Sequence, residues 1–346
     1  TASEAQRFAE NARAGRIGMS GFYAGLVTGY PSFEELTRAL YDCQAIHSSL
    51  GVPLDFAQVT DIPSNSWSIP SVLASAGIRY FADGGNQDRG PLLAYGHWNA
   101  PSPFWWVGPD GQRVLMFQSR HYHQLKAVFG LPPNIEAGSQ ALPRFLETYS
   151  RADYRPDAVL LYGTEVENLP MDYSDGAFVQ AWNRKYAYPR IEICRFADYF
   201  RYIEERYAAD LPVVRGGSGD YWADNEAAFA EATARDRGNQ SRALSAEKLS
   251  AFTAALNPRL RFPLDLDREI WRDLLLFAEH TYSSSRSGGQ PEHDEVLTEL
   301  AEKANQTLRP QSAIDKLMRR SLSQLANLIP AEGRNLVVYN PLNCSR

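Results

Sequence analysis

The order of helices and strands between residues 31 and 81 constrains the fold most. Ser32 and Glu35 have the spacing of a capping box, in which each side chain bonds the other's backbone N–H, and helical apolar spacing follows. Three further elements are predicted: a strand over 54–59, a short helix over 69–76 and a strand over 78–81. Helix, strand, helix and strand in this order are typical of a parallel sheet covered by helices.

The rest of the chain predicts a change of architecture after residue 225. Before it, residues 104–117 predict a hairpin and the apolar run 158–162 predicts a strand buried on both faces. Later elements are helices over 177–186 and 196–207, a strand over 190–194, then helices over 226–256, 268–282 and 293–328, and a last strand over 335–341. We therefore expect an α/β domain over 1–225, a helical bundle over 226–330 and a third domain beginning at 331–346.

Composition and charge exclude several classes of protein. The chain carries 35 Lys and Arg against 41 Asp and Glu, a net charge of −6, which argues against nucleic-acid and membrane-surface binding. No apolar run is long enough to span a bilayer, and no apolar stretch typical of a signal peptide stands at the beginning. The three Cys lack metal-site spacing. The compartment is not indicated, and the sequence leaves homo-oligomerisation open.

Carboxylates follow two of the predicted strands. Asp61 stands where the strand over 54–59 gives way to a loop, and Glu165 and Glu167 follow the buried strand over 158–162. The carboxyl ends of parallel strands are where α/β proteins build active sites, and glycoside hydrolysis requires two carboxylates. Two structural roles remain open: Asp61 as a cap of the next helix, and the Glu pair as a solvated loop.

Other candidate residues are histidines and aromatic side chains. His280 ends a predicted helix and is either a metal ligand or a partner of the helix dipole. His121 and His123 share one face of a strand, but no third ligand is nearby in the sequence. Asp220, Tyr221 and Trp222 suit sugar recognition by hydrogen bonding and stacking, or else line an aromatic seam between domains.

The succession of these segments resembles the glycoside hydrolase family 38 α-mannosidases. The matching stretches are Thr60–Trp67, Ala76–Phe81, Gly216–Asn225, Glu279–Thr281 and Val338–Leu342, which occur in the family's order. The resemblance implies a (β/α)7-type barrel, a three-helix bundle domain and the first strand of a β-sandwich. The family's first strand carries a His-x-Asp pair, and none precedes Asp61 here, so we expect the barrel to be incomplete.

The resemblance also implies roles for individual residues. It makes Asp61 the catalytic nucleophile and a metal ligand, His280 a second ligand of a divalent ion, most often zinc, and Glu165 the acid/base, with Glu167 as the alternative. Trp67 lies in the matching stretch and joins the candidate substrate-binding residues. The implied reaction is hydrolysis of an α-mannoside or related carbohydrate with retention of configuration.

Two other functions remain open at this stage. One is a noncatalytic relative that binds carbohydrate without a metal. The other is a different metal-dependent (β/α)7 hydrolase, such as a polysaccharide deacetylase, that uses His121 and His123. The mannosidase hypothesis requires Asp61 and His280 to meet at one cavity.

Overall fold

The structure is a computed structural model. It describes residues 2–62, 65–86, 101–163, 174–218, 228–281, 286–342 and 344. The chain divides into two compact units, one formed by Thr1–Gly29 and Ala39–Trp222, the other by Tyr30–Arg38 and Ala223–Arg346. The described part contains these helices in chain order: α1 (Ala2–Arg13), α2 (Phe33–Arg38), α3 (Tyr41–Leu50), α4 (Ile69–Ser75), α5 (Gln124–Phe129), α6 (Ile135–Glu147), α7 (Ser174–Lys185), α8 (Phe196–Tyr207), α9 (Ala230–Leu256), α10 (Leu264–Phe277) and α11 (Asp294–Leu328).

The first unit is built on a mainly parallel sheet. Its described strands are β1 (Phe56–Thr60), β2 (Tyr80–Gly84), β3 (Phe104–Val107), β4 (Arg113–Ser119) and β5 (Val213–Arg215). They are ordered β1-β2-β4-β3-β5, and among these pairings only the β3–β4 hairpin is antiparallel. The mixed α/β architecture is confirmed. Closure into a (β/α)7-type barrel stays a prediction.

The sheet is buried because apolar side chains occupy both of its faces. Every residue of β2 and β3 is buried, as expected for strands covered on both sides. On one face, Tyr80 stacks on Phe200 of α8, with ring centroids 5.2 Å apart. Phe117 meets Tyr199 edge-on at 5.7 Å. These contacts pack one face of the sheet against α8.

In the second unit, α9, α10 and α11 share a hydrophobic core. Trp271 and Leu274 of α10 pack with Ala246 of α9 and Leu317 of α11. The predicted capping box is confirmed at the start of α2, where the Ser32 N–H donates to Glu35 at 2.6 Å. Burial, together with the charge of Asp236, raises the pKa of Glu35 to about 8.

Three predicted strands are not strands in the described structure. The backbone of residues 190–194 bonds a side chain instead, since the Ile191 N–H and C=O pair with the Asn183 amide at 3.0 and 2.7 Å. In residues 158–162, the Tyr162 N–H donates to the Gln124 side chain at 3.0 Å. Residues 335–341 have no strand partner in the part of the chain described. The short strand β5 was not predicted.

Candidate functional site

The carboxyl ends of β1, β2 and β4 meet at one edge of the sheet, which we call the carboxyl edge. The pairing aligns Thr60 with Gly84 and Gly84 with Ser119, the last residues of the three strands. The residues that follow each strand, Asp61, Asn86 and His121, therefore lie at this edge. An isolated antiparallel bridge pairs Asn86 with His121.

Asp61 has an unusual backbone conformation. Its φ is +71°, in the left-handed region that few residues other than glycine adopt. Its N–H donates to the Gly84 carbonyl at 2.8 Å, so the conformation is held by the neighbouring strand. Asp tolerates this region better than most side chains, yet such outliers concentrate at functional sites. The local backbone thus fixes the direction in which residue 61 leaves the sheet.

The carboxylate of Asp61 is held by Asn86. The Asn86 Nδ2 donates to Asp61 Oδ1 at 2.7 Å, a short bond of the kind formed to a charged acceptor. Asn86 itself is buried. The N-cap of α4 is Ser68, so the interpretation of Asp61 as a helix cap is wrong. Asp61 is instead an oriented carboxylate at the carboxyl edge.

Tyr162 packs against the strand ends. Its hydroxyl lies 2.7 Å from Thr60 Oγ1, and it also donates to the Val59 carbonyl at 3.3 Å. A Cβ on Gly84 would overlap the Tyr162 ring, so this position requires glycine. Burial raises the pKa of Tyr162 well above its ordinary value. The phenol is therefore a neutral packing group that stiffens the strand ends next to Asp61.

His121 and His123 lie close together at the same edge. Their ring centroids are 5.0 Å apart, and the His121 Nδ1 accepts the backbone N–H of His123 at 3.0 Å. One ring nitrogen of His121 is therefore already engaged in a hydrogen bond with the backbone. The pair contributes imidazole groups to the edge without forming, by itself, a metal site.

Trp67 is partly exposed in the loop that leads to α4. Its indole N–H donates to the Val107 carbonyl at 2.8 Å, while 41% of the residue remains accessible. The anchored edge and the exposed surface suit a stacking platform. Its role in sugar binding stays a prediction.

His280 lies in the second unit, just after α10. Its Nδ1 is 2.7 Å from Glu279 Oε1, and both side chains are one quarter exposed. Burial alone would raise the pKa of Glu279, but the bond with His280 and nearby positive charge lower it overall. The buried Lys303 ammonium donates to the Leu276 and Glu279 carbonyls at 3.0 and 2.9 Å. His280 is therefore paired with a carboxylate on a segment that Lys303 fixes.

The resemblance predicts that Asp61 and His280 bind a divalent ion. A carboxylate beside the second ring nitrogen is common among metal-ligating histidines, and Glu279 Oε1 lies 2.7 Å from His280 Nδ1. However, within the described ranges no three His, Cys, Asp or Glu side chains are grouped so that they could hold an ion. Zinc needs three or four protein ligands. The described residues therefore do not complete a metal site.

Several predicted site residues lie outside the described residues. These are Glu165, Glu167, Asp220, Tyr221 and Trp222. Sequence reasoning also missed Asn86, because the strand before it was predicted to end at residue 81. In the structure β2 extends to Gly84, so Asn86 lies two residues beyond the strand end.

The chain has a mixed α/β fold and an oriented carboxylate at the ends of its parallel strands. It therefore belongs to the broad class of α/β proteins whose sites lie at that edge of the sheet. Residues 12–217, more than half of the chain, match the glycosyl hydrolases family 38 N-terminal domain. The chain therefore belongs to that family, and the resemblance inferred from its motifs is confirmed. No curated protein sequence matches it.

Two solved structures have a similar fold. An alpha-mannosidase from Enterococcus faecalis V583 shares 17% identity with a TM-score of 0.71, and the match covers 94% of this chain and 36% of that one. A protein in the glycosyl hydrolase family 38 from Enterococcus faecalis shares 17% identity with a TM-score of 0.61, covering 93% and 33%. The chain thus spans about one third of the length of these proteins.

In the described part, no helix has both the length and the apolar character needed to cross a membrane.

Proposed function

We propose that the protein is a glycoside hydrolase that cleaves α-mannosides with retention of configuration. Family membership supports the reaction class, and the solved mannosidase of similar fold supports the sugar. The observation that carries the proposal is Asp61, whose carboxylate is held by Asn86 at the carboxyl edge. We propose the (β/α)7-type barrel and the three-helix bundle as the architecture.

Asp61 is the proposed nucleophile. One carboxylate oxygen attacks the anomeric carbon and forms a glycosyl–enzyme ester as the bond to the leaving oxygen breaks. Asn86 donates to Oδ1 and holds the carboxylate in one orientation, which lowers the entropic part of the barrier. Glu165, or Glu167, protonates the leaving oxygen and then removes a proton from the water that hydrolyses the ester.

We also propose that the protein binds a divalent ion, zinc by the resemblance, with Asp61 and His280 among its ligands. The pairing of His280 with Glu279 supports this. When bound, such an ion would polarise and orient sugar hydroxyls. Because the described residues do not complete a site, no step of the mechanism above depends on it.

Hydrolysis of an aryl α-mannoside by the protein tests the proposal. We expect Asp61→Asn to lower kcat by more than a hundredfold. The matched control is Asp55→Asn, which replaces a carboxylate at the opposite end of β1, where Asp55 pairs with Arg201; its kcat should change less than threefold. A fluorinated mannosyl fluoride that traps the glycosyl–enzyme should label Asp61, as read by peptide mass. Activity that survives Asp61→Asn, or a label elsewhere, would refute the mechanism.

Two other results would favour the remaining functions. Calorimetry that detects mannoside binding unaffected by a chelator, without hydrolysis, would favour a noncatalytic carbohydrate-binding protein. Release of acetate from an acetylated polysaccharide, abolished by His121→Ala and His123→Ala, would favour a deacetylase. Metal content measured before and after chelation separates the noncatalytic protein from the two hydrolases, and the product released separates the hydrolases from each other.

A further inference from the structure

Asp83 is a carboxyl group buried in the centre of the sheet. It lies on β2, in register with Val59 of β1 and Gln118 of β4, and is 0% exposed. Within the described residues, no Lys, Arg or His forms an ion pair with it; its partners are the side chains of Asn65 and Gln118. A buried carboxyl group without a cation is expensive and needs an explanation.

Both amides bond the same oxygen of Asp83. Asn65 Nδ2 donates to Oδ2 at 2.6 Å and Gln118 Nε2 donates to it at 3.0 Å. The Gln118 bond joins neighbouring strands that are already paired. The Asn65 bond is different, because it ties the sheet to the segment that follows Asp61.

Asn65 forms three hydrogen bonds, one with Asp83 and two with Ser218. Besides the bond to Asp83, its N–H donates to Ser218 Oγ at 2.7 Å, and its carbonyl accepts the Ser218 N–H at 3.1 Å. The next residue, Ser66, donates its N–H to Thr28 Oγ1 at 3.0 Å. Asn65 is only four residues beyond Asp61, a span of at most about 14 Å. Holding Asn65 therefore restricts where the chain can place Asp61.

We propose that Asp83 is a positioning residue for the reaction, and this rests on the proposed function of Asp61. By accepting the Asn65 amide inside the sheet, Asp83 anchors Asn65, which lies four residues beyond Asp61 in the chain. Asp61 is then fixed from both sides, by Asn86 and the Gly84 carbonyl on one and by Asn65 on the other. An apolar side chain in place of Asp83 would fill the core but could not hold Asn65.

The variants that test this proposal differ in one property each. Asp83→Leu keeps the branched shape of the side chain in a larger, apolar form and removes the acceptor, whereas Asp83→Asn keeps an acceptor oxygen for both amides. Asn65→Ala removes the same bond from the other side and serves if Asp83→Leu does not fold. Leu142→Ala is the control for general destabilisation, since Leu142 packs in a separate core cluster with Phe129 and Trp182.

The first readout is hydrogen exchange, which does not require activity. The backbone N–H groups of Asp61, Asn65 and Ser66 are hydrogen-bonded and should be protected. We expect Asp83→Leu and Asn65→Ala to speed their exchange at least tenfold, while Asp83→Asn and Leu142→Ala change it less than threefold. Unchanged exchange in Asp83→Leu, or equal acceleration in Leu142→Ala, would overturn the proposal.

The second readout is kcat against KM on the aryl α-mannoside. We expect Asp83→Leu to lower kcat at least tenfold with KM within threefold, and Asp83→Asn to recover most of the loss. A kcat that Asp83→Leu leaves unchanged would overturn the positioning role even where exchange responds. If the unaltered protein hydrolyses no mannoside, the proposed function fails, and exchange alone decides whether Asp83 holds this segment.

Discussion

Asp83 should make stability depend on pH in a direction opposite to that of most carboxylates. Burial raises its pKa to about 8 from the ordinary 3.8, because desolvation outweighs the hydrogen bonds from Asn65 and Gln118. Between these values the folded protein holds a proton that the unfolded chain has released. The contribution of this proton to folding stability is therefore full below about pH 4 and is lost as the pH rises towards 8.

The size of the effect follows from the linkage between proton binding and folding. One group that holds its proton only in the folded state changes the free energy of unfolding by about 1.4 kcal/mol per pH unit. Between pH 5 and pH 7, the titration of Asp83 should therefore lower the free energy of unfolding by about 3 kcal/mol. Asp83→Asn cannot titrate, so its stability relative to the unaltered protein should rise by this amount across the interval.

Urea unfolding at pH 5, 6 and 7 measures this difference directly, and other titrating groups cancel between the two proteins. Leu142→Ala is the control, because it removes buried apolar volume and no titrating group. Its destabilisation should be the same at every pH. If the difference between Asp83→Asn and the unaltered protein is also constant within about 0.5 kcal/mol, the carboxyl group is not protonated in the fold, and the reasoning from burial is refuted.

Substitutions at three other positions test the carboxyl edge. Asn86→Ala should lower kcat for the aryl mannoside roughly tenfold to hundredfold, since a hydrogen bond to a charged group is worth about 1.5–3 kcal/mol; an unchanged kcat would contradict this. Asp61→Gly should be more stable to urea than Asp61→Ala by about 1 kcal/mol, because residue 61 has positive φ; equal stabilities would argue against backbone strain. Gly84→Ala should destabilise by about 1–3 kcal/mol through overlap with Tyr162, and full stability would exclude the overlap.

Local signals predicted several of the helices, although α5 and α6 were not predicted. The capping box of Ser32 and Glu35 marks the start of α2, and Gly51 ends α3 in the left-handed conformation, with φ of +67°. The hairpin of β3 and β4 was also predicted, since its turn residues lie between two apolar runs. In each case the residues that determine the element are neighbours in the sequence.

Strands were predicted less well, because a strand exists only where a partner lies beside it. Residues 190–194 have a strand-like composition, but the Asn183 side chain satisfies the backbone of Ile191. Conversely, β5 has only three residues and is a strand because β3 lies parallel to it. Composition carries no information about which distant segment supplies the hydrogen bonds.

The same distinction applies to the candidate site residues. Asp61 could be predicted because a carboxylate at a strand end is a local pattern. Asp83 looks equally local, an acid near the end of a strand, and yet its character depends on β4 lying beside β2 and placing Gln118 next to it. Its second partner, Asn65, comes from the loop after β1. Neighbours that only the strand order determines decide whether an acid is partly exposed or fully buried. Here Asp61, just after β1, is partly exposed, whereas Asp83 on the adjacent strand β2 is fully buried.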